Sequence, residues 1–566
     1  MILRERFERE ANALWNQLQR LAQRRPRLER LYARDADPRV ARLVQSAAYA
    51  LATAQNRLED DGQALVRPLV ARALAESLRP RPSSTILAVS SSSGRAGSLQ
   101  GASFAARVGS VRMPFEVVWP VVLGPVGVED VAIDRLDARR QVLRLALVRR
   151  RGVPLAGFGT VRFFVHLRSC RVAFDFIHAL RSGGAGRGKW LDSDGGVLAD
   201  QELSAGSVSW VRVDTEEPAL VSVRADRFVS STLLRDLYAF PESFCFFELH
   251  LGAGADPRTD RLELVLPLGH VVDEVADLSA EHLRLFCAPA TNQFVAPIEP
   301  LPNVAQEARL QVAGKPHAEI LEVRALTAQS VREAGVRTPL RSWEAPTTPH
   351  AFEPEDTYFA LEQRLAAAAD RTELRATFGR LGAFPSAPGG AVQGEVLASD
   401  GALTSTLGLG DVGSLREGAV NITRVAPSRR ALLGDNHAWR MSAYARMPAG
   451  RLAEREALAE FLRLHDPDGV QDEALRVRRP TLRNVGHSQE HDLEDGALTW
   501  GDAFDLDVEP EGASRGELWL LGALVQRALS ERNEALRFTR LVLRRDGAPF
   551  AEYAALAGAR FPFPLG

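Results

Sequence analysis

The sequence predicts a multidomain α+β protein with an N-terminal helical segment, a β-rich middle region and a mixed α/β C-terminal region. Three observations lead to this fold class. Apolar residues recur at helical spacing over residues 1–82, short apolar runs between Gly- and Asp-rich turns fill residues 83–300, and both patterns occur over residues 301–566. Because 566 residues can form several hydrophobic cores, we expect these three regions to be separate domains.

The N-terminal region is predicted to contain capped amphipathic helices. Asp37 is a candidate N-cap, and Pro38 stands at the first helical position, where an N–H is not needed. The acidic cluster around Asp60 is expected to end this helix, and a second helix should continue until Pro80 and Pro82 impose an extended exit. The apolar residues of both helices fall on one face, which we predict to be a partner interface. This face comprises Val40, Leu43, Val44, Ala47, Leu51, Leu58, Leu65 and Leu69.

The elements after this region are predicted from shorter patterns. Alternating apolar residues between turn-forming residues indicate strands at residues 85–89, 115–122, 142–148, 161–167, 210–213, 262–268, 320–326 and 538–544. Apolar residues at helical spacing indicate helices at residues 174–180, 452–464 and 518–529. The Gly-rich tract 181–196 is predicted to be an exposed loop.

The composition argues against nucleic-acid-binding and membrane-spanning proteins. The 70 basic and 72 acidic residues nearly cancel, so no global field favours nucleic acid or anionic lipid. The longest apolar run, residues 117–128, is interrupted by prolines and is too short to span a bilayer. The N-terminus is charged from Arg4 onward and has no signal-peptide core. We therefore expect a cytoplasmic protein that does not insert directly into a membrane.

The cysteines give the same indication about the compartment. Cys170, Cys245 and Cys287 form no CxxC pair, their number is odd, and each has apolar or aromatic neighbours in the sequence. Buried free thiols in a reducing compartment are the state that this pattern predicts.

Three short motifs imitate nucleotide or metal sites, and each lacks the context that its chemistry requires. Residues 183–189 fit a P-loop, but Trp190 replaces the hydroxyl that would bind Mg²⁺. Residues 408–413 satisfy GxGxxG, yet no helix of sufficient length can follow, so a surface turn is predicted. Residues 487–491 fit HxxEH within an acidic, Gly-flanked segment that we interpret as a loop rather than a zinc-binding helix.

No residue pattern in the chain predicts catalysis. There is no nucleophile elbow, no paired Cys–His signature and no Cys cluster with metal-ligand spacing. We therefore predict a protein that is not an enzyme and has no cofactor or metal. An enzyme without a recognisable motif and an autonomous binding module remain the competing classes.

Three groups of landmarks follow the order and approximate spacing of one known family. They lie in residues 37–82, residues 238–249 and residues 286–294. The landmark residues are Asp37, Pro38, Arg42, Asp60, Pro80, Pro82, Phe240, Pro241, Phe244, Pro289, Asn292 and Phe294. With these residues the chain resembles the TssF family (also called VasA or ImpG), the baseplate subunit of the bacterial type VI secretion system.

The resemblance implies a structural role in a large assembly. Two copies would bundle with one TssG, this unit would join TssK trimers, and six such wedges would surround the VgrG spike. TssE would then link the baseplate to the contractile sheath, and the baseplate would dock on the inner-membrane complex from the cytoplasmic face. A wedge protein of a phage-tail-like contractile injection particle is the alternative. An intradomain bundle is the alternative to a partner interface for the apolar helical face, because apolar helix stripes look alike in both roles.

Overall fold

The computed structural model shows a chain that combines helices with several sheets, as an α+β protein does. It describes residues 3–24, 38–73, 80–90, 97–124, 126–149, 159–221, 229–251, 258–302, 304, 306–330, 337–343, 356–365, 372–380, 387–388, 390–414, 418–429, 437–466, 481–494, 497–509, 513–534 and 537–558. The helices in these ranges are α1 (Leu3–Arg24), α2 (Pro38–Ala73), α3 (Cys170–Arg181), α4 (Val229–Ala239), α5 (His437–Arg446), α6 (Ala449–Leu452), α7 (Arg455–His465) and α8 (Arg515–Ser530).

Strands make up most of the chain between α2 and α5 and return near the C-terminus. The first group is β1 (Ser84–Val89), β2 (Gly97–Leu99), β3 (Ser103–Val108), β4 (Val111–Val117), β5 (Val121–Leu123), β6 (Val126–Arg135), β7 (Gln141–Arg149), β8 (Thr160–Val165), β9 (Gly186–Leu191), β10 (Val197–Leu203), β11 (Val208–Trp210), β12 (Phe246–His250), β13 (Arg261–Pro267), β14 (Leu283–Leu285) and β15 (Cys287–Thr291). The second group is β16 (Phe294–Pro297), β17 (Glu307–Leu310), β18 (Glu319–Ser330), β19 (Arg337–Ser342), β20 (Thr357–Leu365), β21 (Thr372–Arg380) and β22 (Gly390–Ser399). The third group is β23 (Gly413–Ser414), β24 (Ala419–Asn421), β25 (Leu482–Glu494), β26 (Ala497–Val508), β27 (Arg537–Arg545) and β28 (Ala548–Ala557).

Helix α2 corrects the prediction of two separate helices. It begins at Pro38 as expected but continues without a break through Asp60 and Gly62 to Ala73. A single Gly inside a helix costs only about 1 kcal/mol relative to Ala, and the Leu, Gln, Ala and Arg residues on both sides are strong helix formers. The expected N-cap, Asp37, lies outside the described residues.

The strands and helices predicted from clear periodicity are confirmed in most places. Strands β1, β7, β8, β13, β18 and β27 and helices α3 and α8 cover the predicted segments within a few residues. The predicted strand 115–122 is two strands, because β4 ends at Val117 and β5 begins at Val121. The predicted strand 210–213 ends at Trp210, since a turn follows in which Arg212 has φ +71°. The predicted helix 452–464 is divided between α6 and α7.

One continuous cluster of buried apolar side chains, which we call the first core, joins most of the sheets. It is formed by the six-stranded sheet β23-β24-β1-β15-β4-β3, the five-stranded sheet β10-β9-β13-β7-β6 and two four-stranded sheets, β11-β12-β8-β14 and β25-β26-β27-β28. Helices α3, α4, α7 and α8 pack into the same core. Segments that precede residue 294 and segments that follow residue 399 therefore contribute apolar side chains to the same interior.

The seven strands β16-β22-β18-β19-β20-β21-β17 form a separate structure that we call the barrel. Its two end strands meet: Ile298 bridges to Val312, and the Glu299 amide donates to the Gln311 carbonyl at 2.8 Å. The sheet thus closes on itself and surrounds its own cluster of apolar side chains, which includes Phe359, Phe378 and Val396. The domain limits predicted at residues 82 and 300 stay a prediction.

Candidate partner interface

The predicted partner face of α2 is two faces in the structure. Val44 is 7% exposed, and Ala48 and Ala52 are fully buried one and two turns further on. On the same side, the Gln55 amide donates to Glu10 of α1 at 3.3 Å. This side of α2 therefore packs inside the chain, where α1 and α5 are the neighbouring helices, and Val44 is a core residue rather than an interface residue.

The neighbouring face of α2 carries an apolar stripe that nothing in the described chain covers. Leu43 is 71% exposed and Leu51 is 43% exposed. Ala47, Ala50 and Ala54 are exposed on the same face, because residues three and four positions apart lie side by side on a helix. We call these five residues the Leu/Ala stripe. Adjacent residues differ by about 100° around a helix, which explains why Leu43 and Val44 fall on different faces.

The remaining residues of the predicted interface are placed as follows. Val40 is half-buried between the two faces, and the landmark Arg42 is exposed beside Leu43. Leu58, Leu65 and Leu69 belong to α2, as does Asp60, but their side chains lie outside the described part of the structure. Their role as interface residues stays a prediction.

The exit that follows α2 is anchored by a buried cluster of charges. Pro80 and Pro82 are buried, and Arg81 between them forms an ion pair with Asp236 of α4. Asp236 is 1% exposed and also pairs with Arg212. One carboxylate thus joins two buried guanidinium groups from distant parts of the chain. Isolated charged residues give no signal in a sequence, so this cluster could not be predicted.

The second landmark segment builds the pocket around Arg212. Phe240 and Phe244 are buried, and half-buried Pro241 begins a short 3₁₀ turn, Pro241–Phe244. Arg212 Nη1 donates to Ser243 Oγ at 2.7 Å, and its guanidinium lies 4.6 Å from the Phe244 ring centre. The motif therefore has a packing role in this chain.

The third landmark segment crosses from the first core to the barrel. Pro289 is buried in β15 and Asn292 is fully buried just beyond it. Half-buried Phe294 begins β16, and the Lys315 ammonium lies 4.0 Å from the centre of its ring. These residues are structural as well.

The P-loop-like segment is not the predicted exposed loop. Residues Gly186–Leu191 form strand β9, which lies between β10 and β13 and alternates buried and exposed side chains up to Trp190. A Cβ at Gly183 would lie 1.9 Å from the carbonyl oxygen of Pro267. The glycines are required for close packing, whereas Lys189 points outward and is exposed.

Two substitutions in this segment test whether its glycines are required for packing. We expect Gly183→Ala to lower the free energy of unfolding by about 1–3 kcal/mol, because the new methyl group would overlap a backbone oxygen that cannot easily move. Lys189→Ala should change it by less than about 0.5 kcal/mol, since the side chain is exposed. Urea unfolding of both variants tests this, and equal losses would contradict the packing explanation.

The other two motifs have structural explanations too. Residues 408–413 form the predicted turn, in which Gly410 and Gly413 have positive φ. The predicted loop at residues 487–491 is wrong, because this segment lies in β25 and pairs with β26. His487 bonds to Asp502 at 2.7 Å, and it lies four residues from His491 along an extended strand, too far for the two rings to share a zinc ion as on a helix. Within the described ranges, no group of three or more His, Cys, Asp or Glu residues is arranged to hold a metal ion.

His178 in α3 and His270, which follows β13, are kept neutral by their surroundings. Burial, followed by the nearby His270, Arg515 and Arg181, lowers the pKa of His178 to about 3. Burial and Arg515 lower the pKa of His270 to about 4. The centre of the His178 ring lies 5.5 Å from that of Trp519 and 5.1 Å from that of His270, so both histidines act as aromatic packing groups.

These shifts predict loss of stability in mild acid. In the unfolded chain both histidines gain protons near pH 6.5, whereas in the folded chain they stay neutral down to about pH 4. Their contribution is therefore complete above pH 6.5 and falls as the pH decreases toward 4. His178→Gln should reduce the difference in unfolding free energy between pH 7 and pH 5, measured in urea, by about 1–2 kcal/mol relative to wild type. The exposed His491→Gln is the control, and an unchanged difference for His178→Gln would contradict the prediction.

Two further expectations concern the cysteines and the membrane. Cys245 and Cys287 are buried, Cys170 is half-buried, and all three are free thiols, as predicted. Among the helices of the described ranges, none combines the length and the apolar character needed to cross a bilayer.

Comparison with known proteins identifies the family. The chain matches the family described as "Type VI secretion system, TssF" over residues 2–560. It is 24% identical over 571 aligned positions to the type VI secretion system component TssF1 of Pseudomonas aeruginosa, with 90% of each chain covered. Its fold is similar to a chain in the cryo-electron microscopy structure of a TssK-TssF-TssG baseplate subcomplex, with a TM-score of 0.71, 17% identity and coverage of 92% of this chain and all of that one. The chain therefore belongs to the TssF family, whose members are components of the type VI secretion system baseplate.

Proposed function

We propose that this chain is a structural wedge subunit of the baseplate and that the Leu/Ala stripe of α2 is its main partner interface. The observation that carries the proposal is a row of exposed apolar side chains along residues 43–54 of α2, beside a face of the same helix that is already packed. Exposed apolar rows of this kind are typical of protein–protein interfaces. The proposal assigns no catalysis and no cofactor to the chain.

The chemistry of the stripe indicates the kind of partner that it fits. Leu43 and Leu51 stand two turns apart, and burying each leucine completely contributes about 1.5–3 kcal/mol. Ala47, Ala50 and Ala54 are small, so a second helix can approach closely between the leucines. A partner helix with its own apolar stripe is therefore the best match. Leu58, Leu65 and Leu69 would extend the contact along α2.

TssG and TssK are the partners that we propose first. The similar solved chain comes from a complex of TssK, TssF and TssG, which supports both names. We further propose two copies of this chain for each TssG, links through TssE and the VgrG spike, and docking on the inner-membrane complex from the cytoplasmic side. These details follow from the family resemblance alone. No role in nucleic-acid binding or direct membrane insertion is proposed.

Co-expression of this chain with TssG and TssK from the same bacterium tests the proposal. The complex is captured through a tag on this chain, and its mass is measured under native conditions. We expect a stable assembly that contains two copies of this chain for each TssG. Recovery of a monomer that binds neither partner would contradict the proposal and would favour the autonomous binding module.

A further inference from the structure

The barrel is inserted into the first core through two crossings of the chain that lie side by side. The chain leaves the first core after β15, passes Asn292 and enters β16. It returns after β22, passes Asp400 and enters a short 3₁₀ turn, Gly401–Thr406. Strands β16 and β22 pair with each other, with Phe294 opposite Ala398, so the two crossings are held next to each other.

The side chain of Asn292 makes four hydrogen bonds, three of which link the two crossings. Its Oδ1 accepts from the Asp400 amide at 2.7 Å and from Ser399 Oγ at 3.0 Å. Its Nδ2 donates to Asp400 Oδ2 at 3.0 Å and to the Pro114 carbonyl in β4 at 2.8 Å. The side chain is 0% exposed, and these bonds use its complete capacity for donating and accepting. A fully satisfied buried amide of this kind fixes one geometry.

Asp400 extends the contact to a third segment of the chain. Its side chain is completely buried, and Oδ1 accepts from Lys315 Nζ at 2.7 Å and lies 3.1 Å from His317 Nε2. Lys315, which comes from the turn between β17 and β18, also donates to the carbonyl of Arg112 in β4 at 3.1 Å. The buried carboxylate is thus compensated by hydrogen bonds from the barrel and from the crossing itself.

The apolar interiors on the two sides of this contact are separate. The cluster inside the barrel and the cluster of the first core share no member among the described residues. A structure with its own apolar interior can fold as a unit, and a polar contact between two such units fixes their orientation without merging their cores.

We propose that residues 294–399 are a separately folding inserted module and that Asn292, Lys315, His317 and Asp400 form a polar clamp that sets its orientation. The clamp, rather than apolar packing, determines how the barrel stands on the first core. This inference does not depend on the Leu/Ala stripe or on the proposed partners.

Hydrogen–deuterium exchange of the full-length chain in increasing urea tests the first half of the proposal. We expect the amides of β18 and β22 to open together, with a urea dependence different from that of β7 and β13 in the first core. A single shared opening of both groups would overturn the idea of a separate module.

Substitutions test the clamp. In Lys315→Met, we expect the amides of Asn292 and Asp400 to exchange at least tenfold faster, while the amides of β18 and β22 change by less than twofold. Asn292→Ala is the stronger second variant, and Glu307→Gln, which removes an exposed ion pair with Arg375 on the barrel, is the control. Unchanged exchange at Asn292 and Asp400, or equal loss of protection in the barrel and the first core, would overturn the clamp.

Discussion

The double substitution Leu43→Asp/Leu51→Asp is expected to abolish binding of the TssG partner while the chain stays folded. Both leucines belong to the Leu/Ala stripe and are exposed, so neither contributes much to the core. Complete burial of an exposed leucine contributes about 1.5–3 kcal/mol, and Leu43 and Leu51 would each gain the part that corresponds to their exposed surface. The introduced carboxylates would have to be desolvated in addition. The affinity should therefore fall by at least about a hundredfold, which a quantitative pull-down or calorimetry would measure.

A matched variant on the other face of α2 distinguishes lost binding from lost folding. Ala48 is fully buried against the rest of the chain, so Ala48→Asp should destabilise the chain itself. We expect a normal melting temperature for Leu43→Asp/Leu51→Asp and a lower one for Ala48→Asp. If the double variant assembles at the wild-type yield, the Leu/Ala stripe is not the interface.

The largest effect on stability is expected from Asp236→Asn. Asp236 is the carboxylate between Arg81 and Arg212, and all three residues are buried. Neutralising the Asp236 carboxylate breaks its ion pairs with both buried guanidinium groups, and breaking a buried ion pair typically costs about 3–5 kcal/mol. Urea unfolding followed by tryptophan fluorescence measures the loss. Trp119 reports on this cluster, because the centre of its ring lies 5.7 Å from the Arg212 guanidinium.

The control for this prediction is an exposed ion pair. Arg187 and Asp200 pair at 2.7 Å on the surface of the five-stranded sheet, where water screens the interaction. Asp200→Asn should therefore leave the unfolding curve almost unchanged. Similar curves for Asp236→Asn and wild type would show that the buried cluster does not stabilise the chain.

The periodicity of apolar residues predicted helices and strands better than it predicted which of their side chains are buried. Residues 142–148 and 518–529 form the expected strand and helix because their patterns are strong and uninterrupted. The same kind of pattern placed Leu43 and Val44 on one face, yet only Val44 packs inside the chain. When apolar residues occupy two neighbouring faces of a helix, the pattern does not show which face is buried. In α2 this depends on the helices that pack against it.

Glycine-rich segments were the least predictable part of the fold. The tract 181–196 resembles a loop in composition, but β9 runs through its centre. Its glycines are explained by contacts with β13 that are distant in the sequence, such as the approach of Gly183 to Pro267. The clamp at Asn292 and Asp400 could not be predicted from the sequence either, because it joins residues more than a hundred positions apart.

The most direct test of the partner interface is site-specific photo-crosslinking within the assembled complex. A photoreactive residue is placed at Ala47, in the centre of the Leu/Ala stripe, or at Gln45, which is also exposed but lies on another face of α2. The proposed function predicts a crosslink to TssG or to a second copy of this chain from position 47 and none from position 45. Equal crosslinking from both positions, or crosslinking from position 45 alone, would contradict it.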